Sequence, residues 1–239
     1  MTQQPRLFSF LLEDRSAAAL LVTESNRDAW ERLGRWPAWP GRAMALSGPT
    51  GSGKSHMALA WAELSRAGVC WPQDRAMDVF ERFGGRLVVD NADRYPDEPH
   101  LALLLDAARN RPGAAVLLVG RDPPDQWPAT LRDLHSRFAA MPHLELGEPD
   151  DELLAGVLDR LCRARFIKLT EKAAMYLVTH MERSFSAAHR VAEALDQIHT
   201  RGARPVSIGV AARALRSIGG DAPEPEAGEA ARDAQTEEA

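Results

Sequence analysis

The segment Gly48-Pro49-Thr50-Gly51-Ser52-Gly53-Lys54-Ser55 satisfies G-x-x-x-x-G-K-[ST] at every fixed position, and it follows the apolar run Ala43 to Leu46. Strand, glycine-rich loop and helix (Met57 to Ala62) in that order predict a phosphate-binding loop. Its glycines let consecutive backbone N–H groups turn around a phosphate chain, Lys54 reaches the outer phosphates, and the Ser55 hydroxyl is placed to ligate Mg²⁺. The helix starting here, with His56 in its first turn, adds its positive dipole end to the anion site. The expected ligand is ATP or ADP with Mg²⁺.

At 239 residues the chain has room for one α/β domain and a smaller appendage. No apolar run approaches membrane-spanning length and the N-terminus lacks a signal-peptide pattern, so a cytoplasmic protein without a membrane partner is expected. Cys70 and Cys162 lie far apart in apolar stretches and read as buried free thiols. The net charge of −5 is concentrated in the tail from Asp221, where seven acids face Arg232 alone. The remaining body is nearly neutral and lacks the electrostatic footprint of a dedicated DNA-binding domain.

Beyond the loop, Gly68 to Trp71, Leu87 to Asp90 and Ala114 to Val119 read as strands, separated by helices over Ala76–Phe83 and Leu101–Asn110. This alternation predicts a parallel, doubly wound sheet with ligands at the carboxyl ends of its strands. From Asp150 the pattern is helical only: Asp151–Ala164, Glu171–Met181 behind a Thr170 cap, Phe185–Arg201 and Ser207–Ser217. The expected organisation is a flexible N-terminal peptide over 1–13, an α/β nucleotide-binding part over 14–149, a helical lid over 150–218 and a disordered acidic tail over 219–239.

Asp90 ends an apolar strand, where a Walker B aspartate holds the Mg²⁺ shell opposite Ser55. The next residue is Asn91, whereas many ATPases of this type place a carboxylate there to orient the attacking water. An amide does not take a proton near neutral pH, so intrinsic hydrolysis is expected to be slow or absent. Asp93, two residues further on, is the alternative carboxylate, but it reads rather as a residue that caps or turns the loop. Arg132 and Arg137 follow the fourth strand, at a place from which an arginine reaches a neighbouring subunit's nucleotide; Arg137 is the candidate finger.

The order of Gly48–Ser55, Leu87–Asn91, the Arg121-Asp122-Pro123-Pro124 loop, Ser136-Arg137-Phe138 and Glu193 to Asp196 resembles the AAA+ module of the bacterial replication initiator DnaA. More closely it resembles the short DnaA homologues of the Hda/HdaA type, which inactivate that initiator. The likeness spans Phe10 to Ile218 and implies an AAA+ P-loop NTPase fold with a helical lid. Asp90-Asn91 resembles the weakened Walker B of the Hda type, and Ser25-Asn26 the family's adenine-side segment, with Asn26 in contact with the cofactor. Gln4, Leu7 and Phe8 resemble the Q-x-x-L-F peptide that binds the DNA polymerase III sliding clamp. Aligning Ala194 to Asp196 places His189 at the sensor-2 position, with Arg190 as the alternative; Arg121 or Asp122 serves as sensor 1.

The resemblance implies a negative regulator of replication initiation, associated with the nucleoid and replisome. Docked on the clamp, it would present Arg137 to ATP held by DnaA and reach DNA only indirectly; self-association is left open. The competing reading is an autonomous AAA+ ATPase, such as a helicase loader or a DnaA-like replication factor, against which Asn91 argues. A small-molecule kinase would need an acceptor pocket with lid arginines that the sequence does not display.

Overall fold

A computed structural model describes residues 16–71, 74–199 and 204–220. Gln4, Leu7, Phe8 and the acidic tail lie outside these residues. The described chain divides into two compact units between Glu148 and Pro149.

The first unit holds five parallel strands: β1 (Ala43–Ser47), β2 (Gly68–Cys70), β3 (Arg86–Val89), β4 (Ala115–Val119) and β5 (His143–Glu145), in the order β2-β3-β4-β1-β5. The strands are near-continuous apolar runs because both faces are covered. Ala43, Ala45, Leu87, Val89, Val116 and Leu118 point to one side, against α3 (Ala76–Arg82), α4 (Glu98–Asn110) and α5 (Arg132–Ala140). Met44, Leu46, Val88, Leu117, Val119 and Leu144 point to the other, against α1 (Glu24–Gly34) and α2 (Lys54–Ser65). A period of two along each strand thus divides its side chains between two cores.

β1 lies between β4 and β5, so the chain leaves β1 for one side of the sheet and finally returns to the other. That reversal opens a crevice beyond the carboxyl end of β1. The strand ends of β3, β4 and β1 are neighbours there, which brings the segments after Val89, Val119 and Ser47 together.

The second unit contains α6 (Asp151–Arg163), α7 (Glu171–His180), α8 (Phe185–Ile198) and α9 (Ile208–Ser217). Asp150, Thr170 and Ser184 accept hydrogen bonds from the N–H of Leu153, Ala173 and Ala187, at 2.7, 3.1 and 3.1 Å, capping the first three helices. Leu154, Leu158, Leu177, Val191, Leu195 and Leu215 form its core, and a parallel bridge pairs Leu169 with Val206.

Two elements have little signal in the sequence. α1 is mostly polar and buries only Asn26, Ala29 and Leu33, and β5 is three residues long with Leu144 alone buried. No described helix is long and apolar enough to cross a membrane.

Cys70 and Cys162 are both buried and unpaired. Burial pushes the Cys162 thiol up to about 12; burial, then the Asp74 carboxylate, pushes Cys70 up to about 11. An unfolded chain releases these protons near 9.0, so unfolding loses protons in alkali. The stabilisation is complete below pH 9 and disappears as the pH rises toward 11 and 12. The urea midpoint of the natural chain should therefore fall more steeply above pH 9 than that of a Cys70→Ala/Cys162→Ala variant, and neither thiol should react with a thiol reagent before unfolding.

Candidate nucleotide site

Gly48, Gly51 and Gly53 take φ values of 145°, 81° and 91°. L side chains rarely adopt these backbone conformations. At Gly48 the space is also closed, since an added Cβ would collide with the Leu146 carbonyl. Pro49 and Thr50 form the exposed tip, and Gly53 caps the N-terminus of α2. Lys54 Nζ folds back to donate to the carbonyls of Gly48 and Pro49, at 2.6 and 2.7 Å. Burial holds its ammonium below the ordinary range; Asp90 opposes that, Arg121 adds to it, and Asp93 opposes it.

Ser55 Oγ donates to Asp90 Oδ2 at 3.2 Å, which joins the first turn of α2 to the end of β3. Asp90 is buried, with 7% of its surface exposed, and its other oxygen accepts the Asn91 N–H at 3.0 Å. Asn91 stands in the left-handed region (φ 53°) and is exposed. Its backbone turns the chain into a 3-10 turn over Ala92–Arg94, and that turn directs Asp93 to the end of β4. There the Asp93 Oδ2 accepts the Arg121 N–H at 3.4 Å. The Arg121 carbonyl in turn accepts the Gly48 N–H at 2.9 Å.

The Arg121–Asp122 segment is fixed by Trp127, which the sequence alone does not single out. Its indole N–H donates to the Asp122 carbonyl at 2.6 Å, and its ring covers Gly120 so closely that a Cβ there would stand 2.5 Å from it. A glycine at a strand end followed by tryptophan seven residues on is the signal that the sequence offers for this contact.

A cradle shaped for a phosphate chain, an ammonium at its mouth and a hydroxyl–carboxylate pair fit a nucleoside di- or triphosphate with Mg²⁺. Gly48 to Ser55 would hold the phosphates, and Ser55 with Asp90 the metal shell. His56 is half-buried in the first turn of α2.

Asn26 is buried and structural in its contacts: Oδ1 accepts the Thr23 N–H at 2.9 Å and Nδ2 donates to the Leu21 carbonyl at 2.9 Å, closing the start of α1. Arg137 is half-buried on α5, donating to Asp133 at 2.8 Å and to Asp106 at 2.7 Å. Arg132, in the first turn of the same helix, is exposed. In the second unit His189 is half-buried on α8, while the exposed Arg190 donates to Glu182 at 2.9 Å.

No protein-family model and no curated protein sequence matches the chain. Solved structures do. Domain III of the Thermotoga maritima replication initiation protein DnaA aligns at a TM-score of 0.67 with 15% identity, over 85% of this chain and 96% of that one. A DNA replication initiation factor aligns at 0.63 with 14% identity, over 77% of this chain, which spans only 64% of the factor's length. The Thermotoga maritima RuvB Holliday junction branch migration motor aligns at 0.62 with 18% identity, over 86% and 72%. The fold is that of the AAA+ P-loop NTPases, with a helical C-terminal region.

Ser52 Oγ is buried beneath the loop with no hydrogen-bond partner among the described residues. Removing an unsatisfied hydroxyl is nearly neutral or stabilising, whereas a side chain at Gly48 meets both backbone strain and the Leu146 carbonyl. Ser52→Ala should keep the urea unfolding free energy within about 1 kcal/mol of the natural chain, while Gly48→Ala should lower it by about 2 kcal/mol or more.

Proposed function

We propose that the chain is a nucleotide-bound AAA+ regulator of the Hda type, cytoplasmic and working at the replisome. It binds ADP or ATP with Mg²⁺ and represses replication initiation by stimulating hydrolysis of ATP held by DnaA. The observation that carries this reading is the pairing of a complete phosphate cradle, with Ser55 and Asp90 in contact, and Asn91 where a water-activating carboxylate is expected. Such a site retains nucleotide better than it turns it over. The likeness of the fold to DnaA domain III supports docking against a related module, because AAA+ subunits complete one another's sites.

In this reading Gln4, Leu7 and Phe8 dock on the sliding clamp, DNA is reached through the clamp, and His189 or Arg190 reports the nucleotide to the helical unit. Asn26 contributes by ordering the adenine-side segment. Arg137 supplies the group acting in trans. Two carboxylates hold it, so it must exchange Asp106 and Asp133 for a phosphate when the partner docks. Exposed ion pairs contribute about 0–1 kcal/mol each, and a phosphoryl group is a competitive partner for the guanidinium fork.

The autonomous ATPase, a helicase loader or DnaA-like factor, is the second reading, and the engagement of Arg137 within its own chain favours it. The experiment that separates the two is DnaA-bound ATP hydrolysis with loaded clamp, set beside turnover by the purified chain alone. Lys54→Ala should abolish the rise in melting temperature that ADP or ATP gives the natural chain. Arg137→Ala should leave nucleotide and clamp binding intact and lower stimulation of DnaA by on the order of 10³-fold, as expected for a lost arginine finger. Full stimulation by Arg137→Ala with loss in Arg132→Ala would move the finger to the exposed position.

A further inference from the structure

We infer that Asp93 is the water-activating carboxylate of this site, displaced two positions along the chain from the residue where Asn91 stands. The inference rests on the nucleotide-binding reading above and adds to it a residue that gives the bound ATP a route to hydrolysis within the chain.

Three observations converge on Asp93. The left-handed backbone at Asn91 turns the chain so that the amide is exposed and the next acidic group returns to the sheet, where Asp93 Oδ2 accepts the Arg121 N–H. The Arg121 carbonyl accepts the Gly48 N–H at 2.9 Å, so this hydrogen bond ties Asp93 to the first glycine of the phosphate loop. Finally, Asp93 Oδ1 is sealed from solvent and has no hydrogen-bond partner among the described residues. A buried carboxylate oxygen left without a donor is costly, and a fold retains one where another state supplies the donor.

A water held against the γ-phosphate is a donor of the right kind. Oδ1 meets it when Lys54 leaves the Gly48 and Pro49 carbonyls for the phosphates and the loop opens. Oδ1 then takes a proton from that water as its oxygen bonds to the γ-phosphorus. The bond from that phosphorus to the β–γ bridging oxygen breaks, its electron pair leaves with ADP, and the proton passes from Asp93 to the released phosphate. Oδ2 stays on the Arg121 N–H throughout, which fixes the carboxylate and ties it, through the Arg121 carbonyl, to Gly48.

The test uses the full chain and two readouts, ATP turnover and the affinity for ADP–fluoroaluminate relative to ADP alone, the first complex imitating the pentacoordinate phosphoryl group with its water. Asp93→Asn should lower turnover and fluoroaluminate affinity by at least about tenfold, within the range general-base catalysis supplies, and leave ADP affinity unchanged. Asn91→Glu added to Asp93→Asn should restore both, which a structural role for Asp93 would not produce. Where Asp93→Asn fails to fold, the Asp93→Glu and Asp93→Gln pair decides, with activity retained only in the carboxylate. Turnover and fluoroaluminate affinity within about twofold of the natural chain in Asp93→Asn, or in Asp93→Gln, overturn the assignment. A natural chain that binds neither ADP nor ATP overturns the nucleotide reading instead.

Discussion

A carboxylate buried at the end of an apolar strand governs the rest of the site. Leu87 to Val89 are sealed in the sheet, and Asp90 follows them into the interior. Burying a carboxylate is tolerated only when donors and a cation meet it. Here the Ser55 hydroxyl and the Asn91 N–H supply the hydrogen bonds and Lys54 the charge. Ser55 and Lys54 stand in the first turn of α2, so Asp90 ties the loop's helix to a strand two places away from β1 in the sheet. The Gly48 amide ties the other end of the loop to the segment after β4 through Arg121. Three neighbouring strand ends are therefore cross-linked through the loop that must grip a phosphate, and a change in the grip reaches β3 and β4 together.

The same logic of paired ends holds α5 in place. Glu98, at the start of α4, accepts the N–H groups of Thr130 and Leu131 at the approach to α5, and these donors keep its carboxyl below the usual range. Near the other end, Arg137 reaches back to Asp106 on α4. The helix is fastened to its neighbour at both extremities, with the T-shaped contact of Trp127 and Phe138 between. A rigidly held helix presents its arginines in a defined direction, and on the proposed function the pairing that orients Arg137 is also the pairing it would give up.

The strongest local patterns are legible from residues alone. The glycine-rich loop, the apolar strands, the aspartate closing β3 and the cap at Thr170 each have a short-range cause that a sequence displays. α1 escapes such a reading because the apolar residues it fully buries are only Ala29 and Leu33, beside a half-buried Trp30, with Asn26 buried for capping, and β5 because a single buried leucine carries no period. The engagement of Arg137 is hidden for a different reason. Asp133 is a helical neighbour four residues away, but Asp106 is 31 residues distant and meets it only after α4 and α5 pack. Asp93 has the sequence context of a turn former; the partner that redefines it, the Arg121 amide, belongs to the segment after another strand.

Fold resemblance takes the chain only to a shared scaffold, because initiators of the DnaA kind and a branch-migration motor both align with it at below one-fifth identity. What divides such proteins is where the water-activating carboxylate and the charge-neutralising arginine reside. With Asn91 at the usual place, a chain that lacks any other carboxylate holds its nucleotide as a brace between parts of its own structure. With Asp93 turned into the site, the same chain retains a slow clock on that brace, and the lifetime of the ATP-bound form is set by one buried oxygen. An arginine offered to a partner and a carboxylate kept for itself are compatible in one molecule: on the proposed function, Arg137 on α5 would act on a neighbour's nucleotide and Asp93, at the strand ends, on the chain's own.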